Sequence, residues 1–190
     1  YDIGVRLVGS EMCIRDRLPS ERGFLVGNGS MVAAVCSATG VAPHSAGKPE
    51  PAMFTSAAQS AGAKRPLVVG DRIDTDIAGG INAGMDTLLV LTGVSTHWDT
   101  IRTSHRPTHI AANLRDELPV FEAHRVDDST VSVSSGTGNG NVAEELLSAA
   151  ALAVAAPVAW RLIDAGCAPD AVSIIGQDAT ASKAISAWRD

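Results

Sequence analysis

The alternation of apolar and polar positions is clearest in the middle of the chain. Residues 67–69 form a short aliphatic run that ends at Gly70 and leads into an acidic segment over 71–76. The next segment, 77–84, has the composition of a short helix ending at glycine, and a second apolar run follows at 87–91. Two aliphatic runs separated by a helical segment predict a βαβ unit. Ligands of open parallel sheets bind beyond the carboxyl ends of the strands, and residues 71–76 occupy that position.

Weaker patterns predict further elements on both sides of this unit. Ser30 is a suitable N-cap and Gly40 a suitable end for one helix, and Thr96 is a suitable cap for another. The remaining predicted elements are helices over 52–62, 113–118, 143–165 and 179–188, and a turn followed by a short strand within 106–111.

Residues 125–141 differ in composition from the rest of the chain. An alternating segment at 130–135 is followed by a segment rich in glycine and asparagine, and then by the predicted helix. A strand, a glycine-rich turn and a helix suggest dinucleotide binding, but Asn141 stands where that motif needs its third glycine. The strand also lacks the bulk typical of a central parallel strand. We therefore interpret residues 125–141 as a linker or hairpin.

The acidic turn carries the first candidate chemistry. Asp71 and Asp76 repel each other unless a cation lies between them, and Mg²⁺ is held by one or two carboxylates together with water and phosphate oxygens. Thr75 and Asp76 also suit the N-terminus of a helix, as cap and first-turn acid. The turn by itself is equally consistent with metal binding and with capping. Asp74 fits neither role and is predicted to be solvated.

A second candidate lies upstream, at Lys48. The sequence Gly47-Lys48-Pro49-Glu50-Pro51 forbids helix at the lysine and allows Pro51 to open the next helix. Lys48 is thus predicted to lie on a rigid loop ahead of the strand that ends in the acidic turn. An isolated lysine is usually a solvated charge. A lysine at such a site could instead neutralise a phosphoryl group and the carboxylate that attacks it.

Together these residues carry a family resemblance. The chain resembles the haloacid dehalogenase-like (HAD) phosphatases, most closely the IIA group of p-nitrophenyl, phosphoglycolate and glycerol-3-phosphate phosphatases, over about residues 18–118. The matching residues are Gly47-Lys48-Pro49-x-Pro51 and Val69-Gly70-Asp71-Arg72-x-x-Thr75-Asp76-Ile77, followed by Gly80, Gly84, Thr87 and 90–94. The resemblance implies a Rossmann-like parallel sheet with flanking helices, Lys48 as the catalytic lysine, and Asp71 as the Mg²⁺ ligand with Asp76 assisting nearby. Asp71 and Asp76 are therefore both predicted to bind metal. Arg72 is a weaker candidate at the mouth of the site, where a surface salt bridge is the alternative.

The family's nucleophile motif, Asp-x-Asp-Gly, is not found ahead of Lys48. In that family an aspartate attacks a phosphate monoester, and water then hydrolyses the aspartyl-phosphate. We therefore expect this chain to be part of a Mg²⁺-dependent phosphatase acting on small phosphorylated metabolites, and to be inactive alone. The alternative hypothesis is a non-catalytic module that binds Mg²⁺ or phosphate and complements another chain. Substrate identity is not predicted beyond glycerol 3-phosphate and 2-phosphoglycolate as family-based candidates, because most of the substrate-selecting cap is missing.

The predicted organisation has four parts. Residues 1–17 are expected to be an artefact, because 7–17 resemble a translated sequencing adapter; a natural amphipathic strand is the alternative. Residues 18–124 are predicted to be the C-terminal half of a HAD core, 125–141 a linker or hairpin, and 142–190 a helical C-terminal extension. The fold class predicted is therefore α/β, a partial Rossmann-like sheet with a helical extension.

The composition limits the possible binding partners and the cellular location of the protein. The 21 acidic and 15 basic residues give a net charge of −6, which argues against a nucleic-acid partner. Three cysteines without a metal-ligand spacing indicate a reducing compartment, and we expect a cytoplasmic location. The apolar stretch at 146–160 is too short to span a bilayer and contains Pro157, so no membrane association is predicted.

Overall fold

The computed structural model describes residues 17–20, 23–42, 46–137 and 142–188, so the adapter-like segment before Arg17 lies outside the described residues. The first strands and helices are β1 (Arg17–Ser20), β2 (Gly23–Val26), α1 (Asn28–Thr39), α2 (Ala52–Ser60), β3 (Leu67–Gly70), α3 (Ala78–Asn82), β4 (Asp86–Val90), α4 (His97–Arg102) and β5 (His109–Ala111). They are followed by β6 (Phe121–Arg125), β7 (Thr130–Ser135), α5 (Glu144–Asp164), β8 (Ser173–Gly176) and α6 (Ala179–Ser186).

The predicted βαβ unit is confirmed in a parallel sheet of order β3-β4-β5. Strand β3 pairs with β4 so that Val69 lies opposite Leu88, and β4 pairs with β5 so that Leu89 lies opposite Ile110. Leu89 is fully buried beside Ile77, which follows the acidic turn. All three strands run in one direction, so the segments that follow them emerge at one edge of the sheet.

A second sheet, of order β6-β7-β8, forms the C-terminal unit together with helices α5 and α6. Strands β6 and β7 are antiparallel, whereas β7 and β8 are parallel and are joined through α5. Asp178 caps α6 and also accepts hydrogen bonds from the Ser135 backbone and hydroxyl at the end of β7. These hydrogen bonds, the one from the Ser135 amide first, hold the pKa of Asp178 below its ordinary value.

The described part of the predicted linker or hairpin, residues 125–137, does more than connect two parts of the chain. Strands β6 and β7 form a hairpin, as one interpretation required, but β7 is also the central strand of the second sheet. The expectation that this strand is too small for such a position was wrong. Val131 and Val133 are fully buried, because the alanine-rich face of α5 packs closely against the sheet and compensates for their limited bulk.

The helical predictions at the C-terminus hold, with one strand added. Helix α5 spans 144–164 with Pro157 on its exposed side, and the unpredicted strand β8 separates it from α6. The apolar stretch at 146–160 was expected to be too short for a membrane span, but it lies within the longer helix α5, which has the length and composition of one. Two-thirds of its apolar window is nevertheless buried within the protein. That burial is typical of the core helix of a globular unit.

Local hydrogen bonds at chain turns and helix starts confirm one helix prediction and contradict two. Thr96 caps α4 in a reciprocal arrangement with Asp99, as expected of a capping residue. Ser30 is not a cap, because α1 already begins at Asn28. The helix predicted over 113–118 does not form. The Asn113 side chain instead accepts the amides of Arg115 and Asp116 and holds a turn.

The first sheet packs against the core of the C-terminal unit through partly buried residues, Leu91 after β4 and Ile110 of β5. The buried residues of that core include Ile101 of α4, Phe121 of β6, Leu152 and Trp160 of α5, and Trp188 beyond α6. Helix α4 lies between β4 and β5 in the sequence, but it packs against the C-terminal unit.

Candidate active site

The carboxyl end of β3 is shaped by two glycines that allow close approach. A Cβ atom on Gly70 would lie 2.2 Å from the Cβ of Asp76, and one on Gly93 would lie 1.7 Å from an oxygen of Asp71. Both distances are far below contact distance. The absence of side chains at Gly70 and Gly93 is thus what allows the two carboxylates to lie against the backbone here.

The acidic turn is a single π-helical turn, Ile73–Ile77, in which the amides of Asp76 and Ile77 both donate to the Arg72 carbonyl. Such turns are rare and are often found at functional sites. No side chain caps this turn at its first position. The Asp76 carboxylate instead accepts the Arg72 amide at 3.2 Å, which folds the acid back toward the end of β3.

Lys48 meets Asp76 at this point. The Lys48 Nζ atom lies 2.7 Å from Asp76 Oδ1; the Asp76 side chain is 10% exposed and that of Lys48 is 32% exposed. The structure therefore brings the lysine to the carboxyl end of β3, where the resemblance implied it would be. Its partner is Asp76, a pairing that the sequence did not reveal.

The loop that carries Lys48 is held from helix α3. The Asn82 side-chain amide donates to the Pro49 carbonyl at 3.0 Å. Sequence reasoning missed Asn82; an amide side chain at the last position of a short helix was the available signal.

Asp71 is held by the loop that follows β4. Its Oδ2 atom accepts the Val94 amide at 3.2 Å, and its carbonyl accepts the Ser95 amide at 3.2 Å. The Ser95 hydroxyl in turn accepts the Ile73 amide at 3.0 Å. Among the described residues no hydrogen bond is made to Asp71 Oδ1, so this oxygen keeps its lone pairs for another ligand.

Arg72 and Asp74 pair with each other on the surface, through two hydrogen bonds of 3.1 and 3.0 Å. The Asp74 side chain is 61% exposed, as its predicted solvation requires. The salt bridge foreseen as the alternative for Arg72 is present.

Of the two carboxylates at this site, one is available to bind a hard cation. In the described segments no group of three or more histidine, cysteine or acidic side chains could enclose a metal ion. Mg²⁺ needs only one or two protein carboxylates, with water and phosphate oxygens completing its shell. Asp71 can supply one such carboxylate, whereas both oxygens of Asp76 already accept hydrogen bonds.

Comparison with known proteins relates the segment that carries these residues to one family. The HAD-hydrolase-like family model matches residues 45–117, which include Lys48, Asp71 and Asp76. Over this segment the chain is similar to the HAD-like hydrolases. Over 100 residues it is 53% identical to the D-glycerol 3-phosphate phosphatase of Mycobacterium tuberculosis, covering 52% of the chain and 28% of that protein. An acid sugar phosphatase of Staphylococcus aureus is 44% identical over 107 residues, covering 55% of the chain and 41% of that protein.

The structural match extends beyond the HAD segment. The structure of the glycerol phosphate phosphatase of M. tuberculosis with calcium is similar at a TM-score of 0.72 and 34% identity, covering 92% of this chain and 54% of that one. Its structure with magnesium gives a TM-score of 0.70 and 33% identity, covering 93% and 53%. The chain thus spans about half of that phosphatase. A match this extensive must include most of the C-terminal unit, so a comparable unit accompanies the HAD segment there.

Proposed function

We propose that this chain carries the lysine and metal-binding half of a HAD-type phosphatase site that hydrolyses small phosphate monoesters. The observation that supports the proposal most strongly is the Lys48–Asp76 ion pair beside Asp71 at the end of β3. A fixed ammonium group and a carboxylate with a free oxygen at one edge of a parallel sheet suit the charges of a phosphoryl group and its counter-ion.

Each residue has a separate proposed role. Asp71 would hold Mg²⁺ with its carboxylate, and the bound ion would supply positive charge to neutralise the phosphate. Lys48 neutralises the phosphoryl group and the attacking carboxylate. Asp76, first considered as a second ligand, supports the site by holding Lys48 in place, since its two oxygens accept the lysine and the Arg72 amide.

The relatives support a substrate class. Two of them are named D-glycerol 3-phosphate phosphatase and acid sugar phosphatase, names that indicate small phosphorylated metabolites as substrates. We propose the same class here, in a cytoplasmic setting and with no nucleic-acid or membrane partner, in keeping with the net charge of −6.

The exposed edge of β3 could pair with a further strand that brings the nucleophile to the site. Strand β3 is an edge strand in the described sheet, and its Leu67 and Val69 side chains are 48% and 42% exposed. An apolar edge of this kind is suited to pairing with a further strand. That strand would come from the rest of the same enzyme; in the second candidate function, a non-catalytic complementing module, it would come from another chain.

A magnesium titration tests the metal role. We expect Mg²⁺ to raise the thermal stability of the chain, and Asp71→Asn to abolish that response, because the neutral amide removes the ligand charge. At a hundredfold excess over its dissociation constant, a ligand stabilises a protein by about 2.7 kcal/mol. Asp74→Asn is the matched control, since this acid lies in the same turn but faces solvent, and it should respond as the unaltered chain does. Equal responses of Asp71→Asn and the unaltered chain would exclude Asp71 as the ligand.

The expectation that this chain has no nucleophile can be tested by measuring its phosphatase activity. We expect the purified chain, supplied with Mg²⁺, to hydrolyse p-nitrophenyl phosphate no faster than a blank without enzyme. Positioned charges without an attacking carboxylate cannot form the aspartyl-phosphate. Turnover above the blank that disappears in Lys48→Ala would show that this chain holds a complete site, against the proposal.

A further inference from the structure

We propose that the C-terminal unit positions the Asp71 carboxylate, with Ser148 of α5 as the positioning residue that acts through His97 of α4. The inference rests on the metal role proposed for Asp71. It assigns the C-terminal unit a part in the site, exerted through α4.

The first link is the loop after β4. Val94 and Ser95 donate their amides to the Asp71 carboxylate and carbonyl, and the Ser95 side chain holds the Ile73 amide. Gly93 lies so close that no side chain fits between it and Asp71. Any displacement of this loop must therefore move the carboxylate or break its hydrogen bonds.

The second link is the start of helix α4, which directly continues the loop. The Asp99 amide donates to the Thr96 hydroxyl at 3.1 Å, and the Thr96 amide donates to the Asp99 carboxylate at 2.9 Å. This reciprocal cap makes the loop and the first turn of α4 a stiff unit. The position of His97, the first residue of α4, is thereby transmitted to Val94 and Ser95.

The third link joins α4 to the C-terminal unit. His97 Nε2 lies 2.8 Å from Ser148 Oγ, and both side chains are buried, at 6% and 3% exposure. The His97 ring also stacks on Trp188 with centroids 5.6 Å apart, and Trp188 donates its indole N–H to the Ser148 carbonyl. His97 is therefore held from two sides, by α5 and by the segment after α6.

A cavity of about 500 Å³ lies between the loop and α5, lined by Leu91 and Thr92 on the loop side and by His97 and Ser148. Leu91 also packs against the core to which α5 contributes. The hydrogen bond between His97 and Ser148 is a polar contact at this cavity that joins α4, the continuation of the loop, to the C-terminal unit.

Ser148→Ala tests the link with two readouts, amide hydrogen exchange and Mg²⁺ affinity. We expect exchange at Val94 and Ile73 to accelerate about tenfold and the Mg²⁺ dissociation constant to rise severalfold, a coupling of the size seen between linked sites. His97→Phe keeps a ring over Trp188 but loses the hydrogen bond, and it should reproduce both changes even if Ser148→Ala folds poorly.

Trp160→Phe is the matched control. It removes one buried hydrogen bond, from Trp160 to the Thr100 carbonyl, in the same interface but farther along α4. It should leave exchange at Val94 and Ile73 as in the unaltered chain. Accelerated exchange in the control equal to that in Ser148→Ala, or no acceleration in Ser148→Ala and His97→Phe, would overturn the proposal. Exchange needs no metal, so failure of Mg²⁺ to bind the unaltered chain would count against the proposed function alone.

Discussion

Replacing Gly70 by alanine is expected to separate Lys48 from Asp76 and to destabilise the chain by about 3 kcal/mol, the upper part of the usual range for overpacking. The new methyl group would lie 2.2 Å from the Cβ atom of Asp76, which is fixed to the backbone of the π-helical turn and cannot rotate away. The turn must therefore shift, and the carboxylate that holds the lysine shifts with it. Urea unfolding measures the loss in stability, and the NMR signals of the Lys48 ammonium and Asp76 carboxyl groups report the separation.

Gly62→Ala separates the effect of contact from that of backbone strain. A Cβ atom on Gly62 would meet no atom within 4 Å, but its φ of +61° is unfavourable for alanine. That change should cost about 1 kcal/mol and leave the Lys48 signal unchanged. If Gly70→Ala retained both the stability and the Lys48–Asp76 pair of the unaltered chain, the tight approach at the end of β3 would be refuted.

Replacing Trp160 by alanine should cost about 3–5 kcal/mol, as expected for a buried tryptophan. The indole is 8% exposed and donates to the Thr100 carbonyl of α4 at 3.1 Å. The Arg106 guanidinium also lies 5.6 Å from its ring, while pairing with Asp164. One side chain thus joins α4, the segment before β5 and helix α5, and chemical denaturation would measure what its loss costs.

Because Trp160 lies between the two sheets, its loss should weaken both together. We expect a single unfolding transition for signals from β4 and from β7, shifted to lower urea concentration by Trp160→Ala. Trp160→Phe should shift it less, by about 1 kcal/mol for the missing hydrogen bond. Separate transitions for the two strands in the unaltered chain would show that the units fold independently, contrary to the packing between them.

The residues of the candidate site were predictable in identity but not in pairing. Lys48 and Asp71 stand in a recognisable order of motifs, and the run before Asp71 has the pattern of a parallel strand. The Lys48–Asp76 contact joins residues 28 positions apart in the chain. No local pattern records such a contact, because it depends on how the loop before α2 folds over the end of β3.

The second sheet shows the same limit in the fold. The sequence contains the alternating residues of β7 and the alanines of α5, but by itself it predicts only a linker or hairpin at β7. Strand burial depends on what packs against it, and small side chains on β7 are adequate only because α5 is also small on the facing side. Strand β8, four residues long, had too short an apolar run to be separated from the loops around it.

The sequence by itself predicted the parallel βαβ unit, the helices α5 and α6, the resemblance to the HAD phosphatases, and the lysine and aspartates of the candidate site, because periodicity and motif order are properties of neighbouring residues. Only the tertiary structure showed that Asp76 pairs with Lys48, that the loop after β4 donates hydrogen bonds to Asp71, and that α4 packs against the C-terminal unit. Those contacts join segments that are distant along the chain. The free energy of each contact depends on the distance and burial that arise when the two sheets pack, and the sequence of one segment does not specify these.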